Sequence, residues 1–264
     1  MKKENIITLI ITKFITVLLF VGLIFVYKYI SDNKLFNPLM FPSLDKVVNK
    51  FFSDMFVGAS EYYVSKIEHM KASFALLIPS VFIMSVIALI LGTIVGRNEV
   101  LRNVLNPILY AFSCVPAILM IPFLMVLIKN DTIASMVMII YHIVWATLFS
   151  TIVGVQSVDK RYMESAETLK LSGFKKYFKV IFPAASPAIL GGFVNSLRAS
   201  FVMLVFAEMY NGGKGMGQYT RLNQINGNYD KMWGGFVFMV ITLIIVMAIF
   251  EKIKVYILRW TIDK

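Results

Sequence analysis

The sequence predicts an all-α membrane protein with six transmembrane helices, and three observations support this fold class. The chain of 264 residues is 58% hydrophobic and only 16% charged, whereas soluble domains carry about 25% charged residues. Its mean hydropathy is +0.76. The apolar residues form long continuous runs without strict alternation, which favours helices over a β-barrel.

Each predicted span is an apolar run of about 20 residues, the length that a helix needs to cross about 30 Å of hydrocarbon. The six runs cover residues 6–27, 73–96, 103–128, 132–158, 184–207 and 232–250. Arg198 interrupts the fifth run, and Glu208 follows it. Pro79 in the second run, and Pro116 and Pro122 in the third, predict bends because proline removes a backbone N–H from the helix.

The region before the second span contains two different segments. Residues 1–31 are expected to form a retained N-terminal transmembrane helix, since no small-residue cleavage pattern follows the first run. Residues 32–72 are expected to form an outer amphipathic elbow, because apolar residues from Leu44 to Phe56 recur at helical spacing after Pro42 and Ser43. A small helical hairpin outside the membrane is the alternative. Residues 73–264 are the predicted five-helix core.

The distribution of Lys and Arg predicts the orientation of the chain in the membrane. With both termini in the cytoplasm, 14 basic residues lie inside and 10 outside. The loop at 160–182 decides the assignment, because its six basic residues lie close to two spans. The formal net charge of +11 is then explained mostly by the Lys and Arg residues that set the membrane topology. A nucleic-acid partner is not expected.

The segment 159–183, between the fourth and fifth predicted spans, is amphipathic and basic. Its stretch ESAETLKLSGFKKYFKVIFP begins at Glu164 and ends at Pro183. The apolar residues fall into two short helical pieces separated at residues 170–173. We expect two short helices that rest on the bundle and turn their charged faces towards the cytoplasm, with Pro183 ending the segment.

This segment resembles the coupling loop of ABC importer permeases, the membrane subunits that work with a separate ATPase. The family pattern is Glu-Ala-Ala, three residues, Gly, nine residues and Ile-x-Leu-Pro. Glu164, Ser165 and Ala166 match its start, and Pro183 matches its end without a gap. Lys170 stands where the pattern has Gly, at a cost of about 1 kcal/mol if the left-handed turn is kept.

The resemblance extends over roughly residues 40 to 250. The stretches GVQSVDKRYMESAETL and FPAASPAILGGFVNSLRASFVMLVFAEM are similar to the branch that serves nitrate, sulfonate, taurine and related small solutes. The resemblance implies a type I ABC importer permease architecture in the bacterial inner membrane. The coupling residues that it implies are Glu164, Ser165, Ala166, Lys170, Gly173 and Pro183, with the turn expected to move from Lys170 to Gly173.

The same resemblance implies the partners and cofactors. An external binding protein delivers the solute, a second permease copy completes a homodimer, and a cytoplasmic ATPase dimer binds ATP and Mg. No cofactor is expected in this chain, which lacks a G-x-x-x-x-G-K-[ST] motif. NGGKGMG at 211–217 is interpreted as an outer turn. A permease for a vitamin precursor, a self-sufficient secondary transporter and a membrane enzyme are the alternatives.

Four residues are candidates for the translocation pathway: Arg198, His142, Pro116 and Glu208. A charge inside the bilayer is costly unless it faces a cavity or a partner, so Arg198 is expected either to attract an anionic solute or to bond neighbouring helix carbonyls. Glu208 is close enough to the outer end of its helix to reach water. His142 is either a packing residue or a titratable group on the pathway. Two His and the single Cys114 provide no catalytic or metal-binding cluster.

Overall fold

A computed structural model of the chain describes residues 3–53, 55, 65–211 and 213–259. Within these residues all regular structure is helical. The helices are α1 (Lys3–Asp32), α2 (Leu44–Ser53), α3 (Lys66–Arg97), α4 (Glu99–Ser113), α5 (Ile121–Leu127), α6 (Asp131–Gln156), α7 (Lys160–Thr168), α8 (Gly173–Lys176), α9 (Phe182–Asn211), α10 (Met216–Ile225) and α11 (Tyr229–Ile257). A 3₁₀ turn at Ala117–Met120 precedes α5, and a π-helical turn at Tyr177–Ile181 joins α8 to α9.

Five of the predicted spans are continuous helices. By length and composition, α1, α3, α6, α9 and α11 contain stretches long and apolar enough to cross a membrane. The third predicted span differs in form, since the chain bends by 78° between α4 and the helical segment Ala117–Leu127. The described part of the chain therefore has five continuous spans, or six if the bent pair counts as one.

Proline explains where the third span breaks. Pro116 has φ −63° and ψ 125°, and the residue before a proline is disfavoured in the helical region, so the helix ends before it. Pro122 lies in the first turn of α5, where its missing N–H removes no helical hydrogen bond. The predicted bend is thus confirmed at Pro116 and is absent at Pro122. Pro79 lies inside the continuous helix α3.

The structure divides into two compact units, Met1–Lys66 with Thr220–Phe238, and Ile67–Tyr219 with Met239–Lys264. The sequence-based division at residues 31 and 72 is a different partition and stays a prediction. In the first unit, the predicted amphipathic helix is confirmed as α2. The Lys66 ammonium donates to the carbonyls of Lys50 and Phe51, which satisfies acceptors near the C-terminal end of α2. Residues 56–64, within the predicted elbow, lie outside the described residues.

The core of the second unit depends on close contact between α6 and α9. Gly192 of α9 lies against Ser150 and the Ala146 carbonyl of α6. Deeper in the same interface, Thr147 donates to Ser196 at 2.8 Å, and Ser196 donates to the Ile143 carbonyl. Small residues and interhelical hydroxyl hydrogen bonds are the main attractions between helices in lipid, where the hydrophobic effect contributes little.

We expect Gly192→Ala to destabilise this interface. The added Cβ would lie 2.4 Å from Ser150 Cβ and 2.6 Å from the Ala146 carbonyl oxygen, and overpacking of this kind costs about 1–3 kcal/mol. Gly191→Ala is the matched control, because a Cβ there meets nothing within 4 Å. The measurement is the apparent melting temperature of the purified protein in detergent. Equal melting temperatures for the two variants would contradict the packing described.

Candidate functional site

Residues 159–183, called the coupling segment here after the loop that they resemble, begin with a capped helix. The Asp159 side chain accepts a hydrogen bond from the Arg161 backbone N–H at 2.9 Å and forms an ion pair with its guanidinium at 2.6 Å. The guanidinium and the backbone N–H hold the pKa of Asp159 below its usual value. This arrangement satisfies donors at the N-terminus of α7, which carry partial positive charge.

The end of α7 has the geometry that the family pattern assigns to glycine. Lys170 has φ 52°, its N–H donates to the Glu167 carbonyl at 2.8 Å, and the Leu171 N–H donates to the Ala166 carbonyl at 2.9 Å. These two bonds form a Schellman motif with Lys170 in the left-handed position. The left-handed turn was expected to move from Lys170 to Gly173. This expectation is wrong, because Lys170 keeps the left-handed conformation. Gly173 also has a positive φ.

The second half of the segment continues into the membrane helix. α8, the π-helical turn and α9 follow one another without a break, and the Phe182 N–H donates to the Tyr177 carbonyl five residues back. Pro183 was expected to end the segment, and it lies instead inside a helical stretch that continues into α9. Proline lacks the N–H that an α-helix would use at this position, and the longer π turn just before it accommodates this loss.

Side-chain contacts fix the coupling segment in place. Ala166 is fully buried, so α7 packs tightly through its small residue. Lys176 forms an ion pair with Glu167 at 3.1 Å across the turn, and the Thr93 hydroxyl of α3 donates to the Tyr177 hydroxyl at 3.1 Å. The segment is attached to α3 as well as to α9.

The exposed face of the coupling segment carries both charged and apolar side chains. Glu164 and Ser165 are exposed, and Leu169 and Phe174 are 70% and 84% exposed. An open groove of about 690 Å³ runs between α3 and the aromatic residues of the segment. Large exposed apolar side chains beside charges are typical of a protein docking surface.

The Arg198 cavity is the second candidate site. Arg198 of α9 lies 3.2 Å from Glu251 of α11, and Lys254 of α11 lies 3.3 Å from the other carboxylate oxygen. An open cavity of about 470 Å³ adjoins this cluster, and Ser150 and Asn195 also line it. The partner of Arg198 is a carboxylate, whereas the sequence analysis expected either a helix carbonyl or an anionic solute.

Sequence reasoning missed Glu251 and Lys254. Glu251 follows the last residue of the predicted span 232–250, and α11 extends to Ile257. The available signal was their spacing of three residues, which places both side chains on one helix face. Only the tertiary structure shows that this face of α11 contacts α9. His142 is exposed on α6 and, with Pro116, is not among the residues lining this cavity.

Glu208 does not reach water, contrary to the expectation. Its side chain is 4% exposed, and Oε2 accepts a hydrogen bond from the Gly217 N–H at 2.8 Å. A Cβ at Gly215 would lie 2.3 Å from the carboxyl carbon of Glu208, so glycine allows the backbone to approach.

Two residues of α3 complete this contact with the N-terminus of α10. The Gly215 N–H donates to His69 Nδ1 at 3.1 Å, and the Met216 N–H donates to the Ser73 hydroxyl at 2.9 Å. Three successive backbone donors are therefore bound by side chains from α3 and α9. Within the stretch NGGKGMG, these hydrogen bonds fix Gly215 and the first two residues of α10, Met216 and Gly217. The interpretation of the stretch as an outer turn did not include these partners.

The helical fold, the coupling segment and the charged cavity define a multi-pass membrane permease. The chain belongs to the family of binding-protein-dependent transport system inner membrane components, whose family model matches residues 84–262. It is accordingly a multi-pass inner membrane protein.

Individual curated relatives have low sequence identity to this chain. The chain is 29% identical over 133 residues to the nitrate import permease protein NrtB of Synechocystis sp., covering 50% of this chain and 48% of that protein. It is 26% identical to the taurine transport system permease protein TauC of Escherichia coli, covering 74% and 70%. The chain spans about half the length of the nitrate relatives that it matches.

A solved structure supports the fold. A chain from inward facing conformations of the MetNI methionine ABC transporter superposes with a TM-score of 0.62 and 18% identity. The match covers 72% of this chain and 95% of that chain. The predicted type I permease architecture is confirmed at the level of the fold.

We expect Glu208→Ala to destabilise the protein, because the buried Gly217 N–H loses its acceptor at a cost of about 1–3 kcal/mol. Glu208→Gln retains a carbonyl acceptor and should be milder. Apparent melting temperatures of both variants in detergent test this, with Glu99→Ala as the control on an exposed glutamate. A Glu208→Ala protein as stable as the parent would show that the contact contributes nothing.

Proposed function

We propose that this chain is the permease subunit of an ATP-driven ABC importer that moves a small anion from an external binding protein into the cytoplasm. Family membership supports a transport role. The observation that carries the proposal is the coupling segment. It has the family spacing, buries Ala166, exposes Glu164 and lies inside the region matched by the family model.

The solute class is supported by the relatives and by charge. The two similar permeases are named for nitrate and taurine, and both solutes present negatively charged oxygen atoms. Arg198 lies near the middle of α9 with its side chain 58% exposed. A charge at such depth is expensive unless it faces water or protein, so an anion pathway along this face is consistent with its position.

The proposed partners follow from the class. A cytoplasmic ATPase dimer docks on the coupling segment and binds ATP and Mg, while this chain holds no cofactor and catalyses no reaction. A second permease subunit, an identical copy in the simplest assembly, completes the pathway. Both termini lie in the cytoplasm, because the basic loop at 160–182 is then inside. A vitamin precursor is the alternative solute, and a self-sufficient secondary transporter is disfavoured by the family.

Charge and bulk at Ala166 should uncouple transport from ATP hydrolysis. Ala166 is fully buried, so Ala166→Glu must displace α7 from its packed position. Glu164→Ala removes an exposed carboxylate from the proposed docking face. We expect both proteins to insert in the membrane, with reduced ATPase association and reduced solute-stimulated hydrolysis in reconstituted complexes. The effect of Ala166→Glu should be the larger.

Two variants serve as controls for this experiment. Ala166→Ser preserves the size of the buried side chain, and Glu99→Ala removes another exposed glutamate that lies on the same side of the membrane in the proposed orientation. Both should support normal coupling. Normal ATPase binding and stimulation in Glu164→Ala and Ala166→Glu complexes would remove this segment from the coupling role.

Arg198→Gln should weaken anion uptake by about tenfold or more, the scale of one charge-assisted hydrogen bond. Arg198→Lys should retain part of the activity because the positive charge remains. Uptake of labelled nitrate and taurine by proteoliposomes containing the whole complex is the measurement. Lys252→Gln, which removes an exposed charge from α11 outside the cavity, is the control. Unchanged uptake by Arg198→Gln would assign Arg198 a structural role.

A further inference from the structure

Glu251 holds two cations with its two oxygens. Oε1 lies 3.2 Å from Arg198 Nη2, and Oε2 lies 3.3 Å from Lys254 Nζ. The carboxylate therefore bridges a guanidinium on α9 and an ammonium on α11. A ligand that presents two negatively charged oxygens from one small group can bridge the same two cations as this carboxylate does.

The charges of this cluster do not balance. Two cations face one carboxylate, so the cluster carries one excess positive charge beside an open cavity of about 470 Å³. The hydroxyl of Ser150 and the amide of Asn195 add neutral hydrogen-bonding groups to the wall. The excess positive charge beside an open cavity favours the binding of a second anion.

Both contacts of Glu251 are weak enough to exchange. Strong charge-assisted N–H···O hydrogen bonds measure about 2.7–2.9 Å, and the two distances here are longer. The Arg198 and Glu251 side chains are 58% and 39% exposed, and ion pairs with such exposure contribute little to stability. An incoming anion thus has access to the cations and meets a modest barrier.

We infer that Arg198 and Lys254 form an oxyanion-binding site whose occupant in the absence of solute is the chain's own Glu251 carboxylate. This inference rests on the proposed function. A transported oxyanion, with two or more oxygens on one atom, displaces Glu251 and bridges the same two cations. When the anion leaves, Glu251 returns and opposes rebinding. Glu251 thereby sets the affinity of the site and promotes release.

The variant that tests this is Glu251→Gln, which keeps the size of the side chain and removes the competing charge. In proteoliposomes containing the whole complex, we expect KM for labelled nitrate or taurine to fall about tenfold and the maximal rate to fall as release slows. Glu251→Asp should resemble the parent more closely. Asp230→Asn, the same change of charge at the other end of α11, should alter neither value.

A second readout needs no transport. Nitrate should raise the melting temperature of the detergent-purified Glu251→Gln complex more than that of the parent, because ligand binding stabilises the folded state. Lys254→Gln should reduce this stabilisation, whereas Lys252→Gln should not. Either an unchanged or raised KM, or equal stabilisation of the two proteins by nitrate, would overturn the displacement role of Glu251.

A lipid phosphate has the same chemistry as a transported oxyanion, and the lipid composition separates the two sources. The fall in KM should be equal in phosphatidylcholine vesicles with and without phosphatidylglycerol. A change that depends on phosphatidylglycerol would assign the site to a headgroup and overturn the inference. If Arg198→Gln leaves uptake unchanged, the proposed pathway itself fails. If Arg198→Gln impairs uptake but Glu251→Gln leaves KM unchanged, only the displacement role fails.

Discussion

The constraint on which this structure depends is the cost of charge in hydrocarbon. α9 carries two charged residues, and the fold accommodates them in opposite ways. Glu208 is buried and accepts a hydrogen bond from the N-terminus of α10, so protein dipoles replace water. Arg198 is exposed and lies beside a cavity with Glu251 and Lys254. A separation of ten residues places the two side chains about 280° apart around the helix axis. They therefore point in different directions and have separate partners.

One continuous helical stretch joins the coupling segment to the helix that lines the Arg198 cavity. α8, the π-helical turn and α9 are continuous, so no flexible linker separates the exposed surface of the segment from the helix that carries Arg198. The π-helical turn is the irregular point of this connection, and π turns are frequent at functional positions. In the proposed importer, movement of an ATPase against the segment would reach the anion pathway through this helix.

Close packing between α6 and α9 would support such transmission in the proposed importer. Gly192 allows the two backbones to approach closely, and the Thr147–Ser196 hydrogen bond links the helices in the buried interface. These contacts use small and polar residues, which attract helices to each other in lipid more effectively than additional apolar side chains. The Arg198 cavity lies at the edge of this interface, where Gly191 has no neighbour for a Cβ.

The sequence by itself determined the helical membrane class and the five continuous spans, because apolar run length is a local property of the chain. The spacing of Glu164, Ala166 and Pro183 is also local, and it delimited the segment that is proposed to couple to an ATPase. The sequence also located the bend at Pro116, since proline acts on its own helix. Only the tertiary structure decided the partners of the charged residues. Arg198 meets Glu251 53 positions away, and His69 meets Gly215 146 positions away. Such pairings depend on how helices pack, and the hydrophobic pattern of a fully apolar helix does not specify which face its neighbours contact.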